Sequence, residues 1–316
     1  MKSALGPLLV GLGSLLWATD ALVRVPSIAK SDPLFIVFIE HFIGFIALLP
    51  LFLFISPKKL LALGGWRNWL ACVVVGAGGS AIALLLFTEA FRFMSPTLNI
   101  LLQKTQPILV VMIARWFLKE KTEEGFYFWA SIAVISCVIL NLTESGNPDF
   151  SGNSSLLKGI VFSLGASAVW AISTVTGKRL LDDLDPLIAT FWRFFFGLLT
   201  LSLMLGFTQG FSQLQTLSDP QFRFNYLYLG LFPGVIAMWT YYSGMKRTSA
   251  TVTTIVELIF PVGAMYLNYV FLGTKLGPIQ GVFSLILLFS VMSISLKSPL
   301  KLKIAPKPAD QSSESP

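Results

Sequence analysis

Residues 95–121 read SPTLNILLQKTQPILVVMIARWFLKEK, and the charge inside this run decides how the chain folds. From Pro96 to Leu118 the residues are apolar enough for one helix, and at about 1.5 Å per residue they cover roughly 34 Å, the depth of a bilayer crossing. Lys104, flanked by Gln103 and Gln106, interrupts that helix about 12 Å below the nearer surface. A lysine stem does not comfortably snorkel that far. An ammonium there is expensive unless it faces a watery cavity or a partner carboxylate, so Lys104 reads as a residue of a transport pathway.

Outward from this stretch the composition agrees. Hydrophobic residues make up 54% of the 316 and charged residues 12%, against about 25% charged in soluble domains. The expectation is an all-α polytopic membrane protein. Spans are predicted near 4–23, 34–55, 69–90, 96–118, 125–142, 156–177, 186–206, 224–245, 249–272 and 277–296, ten in all. The amino terminus lacks a small-residue cleavage site and is read as a retained span 1. Cys72 and Cys137 fall inside spans and read as packing residues, with no metal site and no cofactor expected.

The net charge of +7 reflects topology, not nucleic acid. Of the 23 Lys and Arg residues, fourteen fall on the side of the amino terminus, six on the other, and Lys104, Arg115 and Arg193 within spans. That bias predicts both termini in the cytoplasm of a cell with this protein in its inner membrane.

The segment 143–155 is polar and rich in Gly, Ser and Asn, a linker between two similar halves, 1–142 and 156–296. A shift of 153 lays Gly6 on Gly159, Ser14 on Ser167, Trp17 on Trp170, Ala18 on Ala171, Asp32-Pro33-Leu34 on Asp185-Pro186-Leu187, Phe38 on Phe191, Phe42 on Phe195, Gly44 on Gly197 and Leu48 on Leu201. Eleven identities without a gap exceed the roughly three or four expected by chance. A shift of 154 lays Ser95 on Ser249, Pro107 on Pro261 and Lys121 on Lys275. Each copy holds five spans, so the second enters the membrane from the opposite side, the design that lets a scaffold open alternately around a midplane site. The tail 297–316, basic and then polar, is expected to lie on the inner leaflet.

The run SPTxxxLLQxxxPIxVxxIARWFLKEK, its second copy SATVTTIVELIFPVGAMYLNYVFLGTK, the Trp-Ala pairs of spans 1 and 6 and the Asp-Pro steps opening spans 2 and 7 resemble the EamA branch of the drug/metabolite transporter superfamily. The resemblance implies ten helices, a central cavity, alternating access and export of amino acids or other small metabolites. The chain departs from the family pattern at Thr274, where an acid is usual, and at Glu40, where arginine is usual. Arg193 keeps the arginine in the second copy.

Intramembrane charge supplies the candidate substrate-binding residues. Lys104 and Glu257 each fall roughly 5 to 6 Å from the midplane and can meet across a cavity. Glu40 maps onto Arg193. Either pair can hold the carboxylate and ammonium of a zwitterion, or lock the bundle as a structural ion pair. His41 can relay a proton. Trp17 and Trp170, placed symmetrically, are expected to line the cavity with Asn99, Gln103 and Gln106; Trp239 is a weaker candidate. Asp20 and Arg24 share a face of span 1 and form an interfacial pair or an outer gate. Pro107 and Pro261 each remove a backbone bond and are candidate hinges.

These residues predict a secondary transporter of small polar metabolites, amino acids first, with sugars, nucleobases, vitamins or phosphorylated metabolites as the alternative. Partners are the substrate, the bilayer and, as an open option, protons. No GxxxxGK[ST] run is present, which excludes a nucleotide-driven pump, and one histidine with two scattered cysteines argues against an enzyme. A sensor or scaffold that keeps the fold without transporting is the competing class.

Overall fold

Aspartate followed by proline opens three of the long helices. Asp32, Asp185 and Asp219 each accept a hydrogen bond from the backbone N–H two residues on, with the proline at the first helical position. Ser95 caps its helix through the N–H of Leu98. Proline lacks the N–H that a first-turn residue would leave unpaired, so each step is a strong start signal.

A computed structural model describes residues 5–109, 112–113, 125–143, 153–208, 210–247, 253 and 256–297. Span 1 is α1 (Leu5–Ala18) and α2 (Asp20–Ile28). Span 2 is α3 (Pro33–Leu48) and the short α4 (Leu51–Phe54), followed by α5 (Pro57–Leu61). Span 3 joins α6 (Trp66–Val73), a π-wound stretch (Val74–Ile82) and α7 (Ala83–Ala90). Span 4 starts as α8 (Pro96–Gln103), and span 5 is α9 (Phe126–Thr143). In the second copy, span 6 is α10 (Asn153–Asp183) and span 7 is α11 (Pro186–Phe207). A 3-10 stretch (Gly210–Ser218) leads to span 8, built from α12 (Pro220–Leu229), a second π-wound stretch (Gly230–Ile236) and α13 (Ala237–Arg247). Span 9 contains α14 (Ile259–Leu272), and span 10 is α15 (Pro278–Lys297).

The chain is an all-α polytopic membrane protein of two inverted five-helix repeats. Among the described residues, four helices are long and apolar enough to cross a membrane alone: Leu5–Ile28, Trp66–Ala90, Ser155–Asp183 and Pro186–Phe207. Arg115, Lys119, Glu120 and Lys121, most of the linker and the tail beyond Lys297 lie outside the described residues.

The two copies interlock. Span 1 packs on spans 8 and 9, and span 6 packs on spans 3 and 4; span 2 meets the π-wound part of span 8, and span 7 that of span 3. Spans 5 and 10 pack against each other. Each cross-copy contact therefore has a partner related by the repeat. Close approaches sit at glycines: a Cβ on Gly76 would lie 2.8 Å from the Arg193 carbonyl oxygen, and one on Gly230 would lie 2.9 Å from that of Glu40. Gly76 maps on Gly230 with the shift of 154, as Glu40 maps on Arg193 with that of 153.

Helices 4 and 9 are discontinuous. α8 ends at Lys104, where the N–H groups of Lys104 and Thr105 bond three residues back, and helix resumes at Gln106. Span 9 likewise turns at Glu257 and Leu258 before α14. Both breaks lie just before a proline, Pro107 or Pro261, whose missing N–H and ring disrupt the preceding turn.

Alanine at Gly76 or Gly230 must push a neighbouring backbone away, and overpacking of this kind costs about 1–3 kcal/mol. Gly76→Ala and Gly230→Ala are each expected to lower the melting temperature of the detergent-solubilised protein. Gly206→Ala, which meets nothing within 4 Å, is the control and should leave it unchanged.

Candidate functional site

Two tryptophans build the walls. The indole N–H of Trp17 donates to the carbonyl of Pro233 at 3.0 Å, and that of Trp170 donates to the carbonyl of Gly79 at 2.8 Å. Trp17 maps on Trp170, and Gly79 maps on Pro233, so these are one interaction made twice. Each acceptor belongs to a π-wound stretch of the other copy. Wide π turns disturb the regular ladder, and a side-chain donor can complete the bonding there.

Each indole also packs on an aromatic ring of the span it bonds. Trp17 meets Tyr241 with centroids 4.8 Å apart, and Trp170 meets Phe87 at 5.3 Å; Phe87 maps on Tyr241. All four rings line one cavity, which encloses about 1000 Å³ of empty space, part of it open to solvent.

Three charged clusters stand around these rings. In the first, Arg24 is fully buried, with Nε and Nη2 each 2.7 Å from an oxygen of Asp20 and Nη2 2.7 Å from Oε2 of Glu40. Its Nη1 donates to the Thr88 hydroxyl at 3.2 Å. Two carboxylates thus share one guanidinium.

The second cluster belongs to the helix breaks. Lys104 Nζ lies 3.2 Å from Oε1 of Glu257, while the Tyr241 hydroxyl donates to Oε2 at 2.9 Å. Glu257 lines the cavity and Lys104 does not. The ammonium sits behind the carboxylate, 4.7 Å from the centre of the Phe260 ring, in the geometry of a cation on an aromatic face.

The third is Arg193. Its Nε donates to the Ser80 hydroxyl at 2.7 Å and its Nη1 to the Tyr242 hydroxyl at 2.9 Å. His41 is beside it, tilted against Phe194 with ring centroids 5.1 Å apart, with Nδ1 2.8 Å from the Val37 carbonyl. A carbonyl only accepts, so Nδ1 carries the proton of the neutral ring.

Several expectations need correction. Glu40 does not pair with Arg193, because the inverted copies place equivalent residues at similar depth from opposite faces; Glu40 pairs with Arg24 instead. Arg24 does more than pair with Asp20: span 1 stays helical to Ile28, and Arg24 is fully buried in the bundle against Glu40 as well. Asn99 does not line the cavity but donates to the Phe87 carbonyl at 2.9 Å, joining spans 3 and 4. Trp239 is 45% exposed and points away from the cavity, whereas Tyr241 and Tyr242 line it. Gln103 and Gln106 do line it, the latter bonded to Thr174 at 3.0 Å. Sequence reasoning overlooked Ser80, Phe87 and Phe194. The signal for Phe87 was its alignment with Tyr241.

A cavity between interlocked inverted repeats, ringed by aromatic side chains and buried charges, defines a membrane transporter for a small molecule. The EamA-like transporter family model matches the chain twice, at residues 4–142 and 157–296, and the chain belongs to that family. It is 29% identical over 293 residues to the riboflavin transporter ImpX of Fusobacterium nucleatum, covering 92% of this chain and 97% of that one. It is also 29% identical over 248 residues to an uncharacterized transporter of Clostridium kluyveri, covering 78% of each. A crystal structure with a TM-score of 0.61 and 18% identity, covering 92% of this chain and 96% of its own, has the same fold.

Replacing Arg24 by leucine leaves Asp20 and Glu40 facing each other without a cation, an expected loss of about 3–5 kcal/mol. Glu40→Gln removes one of two acids from a single base and should cost far less. Thermal melting of both variants checks this, and equal losses would contradict the shared-guanidinium arrangement.

Proposed function

We propose that this protein is a secondary transporter of a flat, polar heteroaromatic metabolite, with riboflavin as the first compound to test. The observation that carries this reading is the ring of symmetric aromatic pairs, Trp17 with Tyr241 and Trp170 with Phe87. A planar ring system gains stacking area from such walls, and polar groups at both ends supply hydrogen bonds that fix its orientation. The similarity to a riboflavin transporter over nearly its full length supports the same substrate class.

Amino acids are the second reading. They are favoured by opposite charges on the cavity walls, Arg193 against the cluster of Asp20 and Glu40. Against them, Lys104, the cation expected to hold a carboxylate, is bonded to Glu257 and stands outside the lining.

Transport proceeds by alternating access, with the turns before Pro107 and Pro261 as hinges and Asp20 with Arg24 as part of the gating. The protein sits in the cell inner membrane with both termini in the cytoplasm, in accord with the distribution of Lys and Arg. Asp20 and Glu40, two acids on one base, are the proposed proton-coupling groups, because adding one proton brings the cluster to neutrality in a medium that penalises net charge.

The test is flux of labelled riboflavin and of an amino-acid panel into proteoliposomes, with and without an imposed pH gradient. Saturable riboflavin flux and no amino-acid flux is the expected result. Flux of amino acids alone would replace the first reading by the second. In the same assay Glu257→Gln and Lys104→Ala are expected to abolish transport with expression intact; normal transport in both would reduce the pair to a structural lock.

A further inference from the structure

Resting on the heteroaromatic reading above, we infer that Arg193 is the specificity-determining residue that receives the electron-rich carbonyl edge of the substrate's ring, while Asp20 and Glu40 hold its hydroxylated end. Arg193 is 7% exposed and lines the cavity. Among the described residues it makes no ion pair; its partners, Ser80 and Tyr242, are neutral hydroxyls. The other deep cations are engaged, Arg24 by two carboxylates and Lys104 by Glu257. A desolvated guanidinium without a counter-charge is costly, and a ligand rich in acceptors offsets that cost.

The guanidinium fork is also placed for such a ligand. It has five N–H donors, and the two bonds to Ser80 and Tyr242 start from Nε and Nη1. Nη2 lies beside Gly79, 3.2 Å from where a Cβ would stand, a place taken up by the Ser173 side chain, and is left out of both of those bonds. Gly79 is the residue whose carbonyl holds the Trp170 indole. A ring stacked near Trp170 therefore brings its edge to Arg193.

The same lining also carries groups of the opposite sign. Glu40 and Arg193 are repeat equivalents in inverted copies, so they stand at similar depths from opposite faces. The cluster of Asp20, Glu40 and Arg24 has two acids for one base, and Arg193 has none: the cavity is a dipole. A flavin is built the same way, with two carbonyls on the pyrimidine edge of its ring and a polyol whose hydroxyls can donate to carboxylates. A phosphate ester on that polyol would meet the acidic pole and be repelled.

The experiment is flavin fluorescence quenching on the purified full chain in lipid nanodiscs, with riboflavin, riboflavin 5′-phosphate and lumichrome, the ring without its polyol. The wild type is expected to bind riboflavin and lumichrome and to discriminate against the phosphate. R193Q should weaken riboflavin and lumichrome by the same factor, roughly tenfold to a hundredfold, and R193K should restore part of it, having charge without the fork. Unchanged affinity in R193Q, or a loss confined to riboflavin, overturns the assignment. So does a phosphate ester bound as tightly as riboflavin by the wild type. If R193Q melts early, Tyr242→Phe keeps the cation and removes its anchor; weakened binding of both ring compounds supports the assignment, and unchanged binding overturns it. Failure of the wild type to bind riboflavin removes the substrate reading together with this one, whereas binding that survives R193Q removes this one alone.

Discussion

The reciprocal indole bonds, Trp17 to Pro233 and Trp170 to Gly79, are what the cavity depends on. Each fixes a large ring at the boundary between the two copies. Each also satisfies a carbonyl in a π-wound stretch that faces the cavity instead of a lipid-exposed helix surface. A buried hydrogen bond contributes only about 1 kcal/mol net, but leaving a buried carbonyl unpaired costs more than that. Because the bonds cross between copies, they tie span 1 to span 8 and span 6 to span 3. The cavity walls therefore belong to neither copy alone.

Symmetry of this kind was legible in the sequence only where the residues are identical. Trp17 and Trp170 align as the same residue, and so do the Asp-Pro steps and the pair Pro107 and Pro261. The π-wound acceptors do not, because the copies reach one geometry by different chemistry. The first uses the glycine-rich run around Gly76, Gly78 and Gly79; the second uses Pro233, which has no N–H to keep the ladder regular. Gly76 against Gly230 and Ile82 against Ile236 do show in the alignment, and the reason for the glycine is close backbone approach. A comparison of identities cannot see that a glycine run and a proline do the same work.

Charge was half legible for a geometric reason. Depth along a span follows from residue count, and depth alone brought Lys104 and Glu257 together. Direction does not follow from count. Proline breaks both helices at that level, so the Lys104 ammonium turns onto Glu257 and the Phe260 ring and leaves the lining to the carboxylate. Similar depth from opposite faces misled for Glu40 and Arg193. It describes two residues facing each other across the midplane only when both lie close to it, and both of these stand nearer their own faces. The missing partner, Arg24, falls just past the predicted end of span 1 at residue 23 because the apolar run thins at Asp20, although the helix continues to Ile28. An ion pair made inside the bundle keeps the helix going where hydropathy falls.

What the two copies share and what they do not share divides along function. Caps, prolines, glycine contacts and indole bonds are shared, and these are the parts that must behave alike if the copies are to exchange roles during a transport cycle. Among the unshared positions are the buried charges and their partners. Arg24 stands where the second copy has Gly177, Glu40 where it has Arg193, Thr88 where it has Tyr242, and Lys104 where it has Leu258. A symmetric scaffold with a symmetric site would accept a substrate equally well in two opposed orientations. Placing two acids on one base in one copy and a lone guanidinium in the other removes that degeneracy, since reversing the substrate would set acceptors against carboxylates. On the proposed reading, symmetry is what allows the scaffold to alternate, and the asymmetry of its charges is what tells the two ends of the cargo apart.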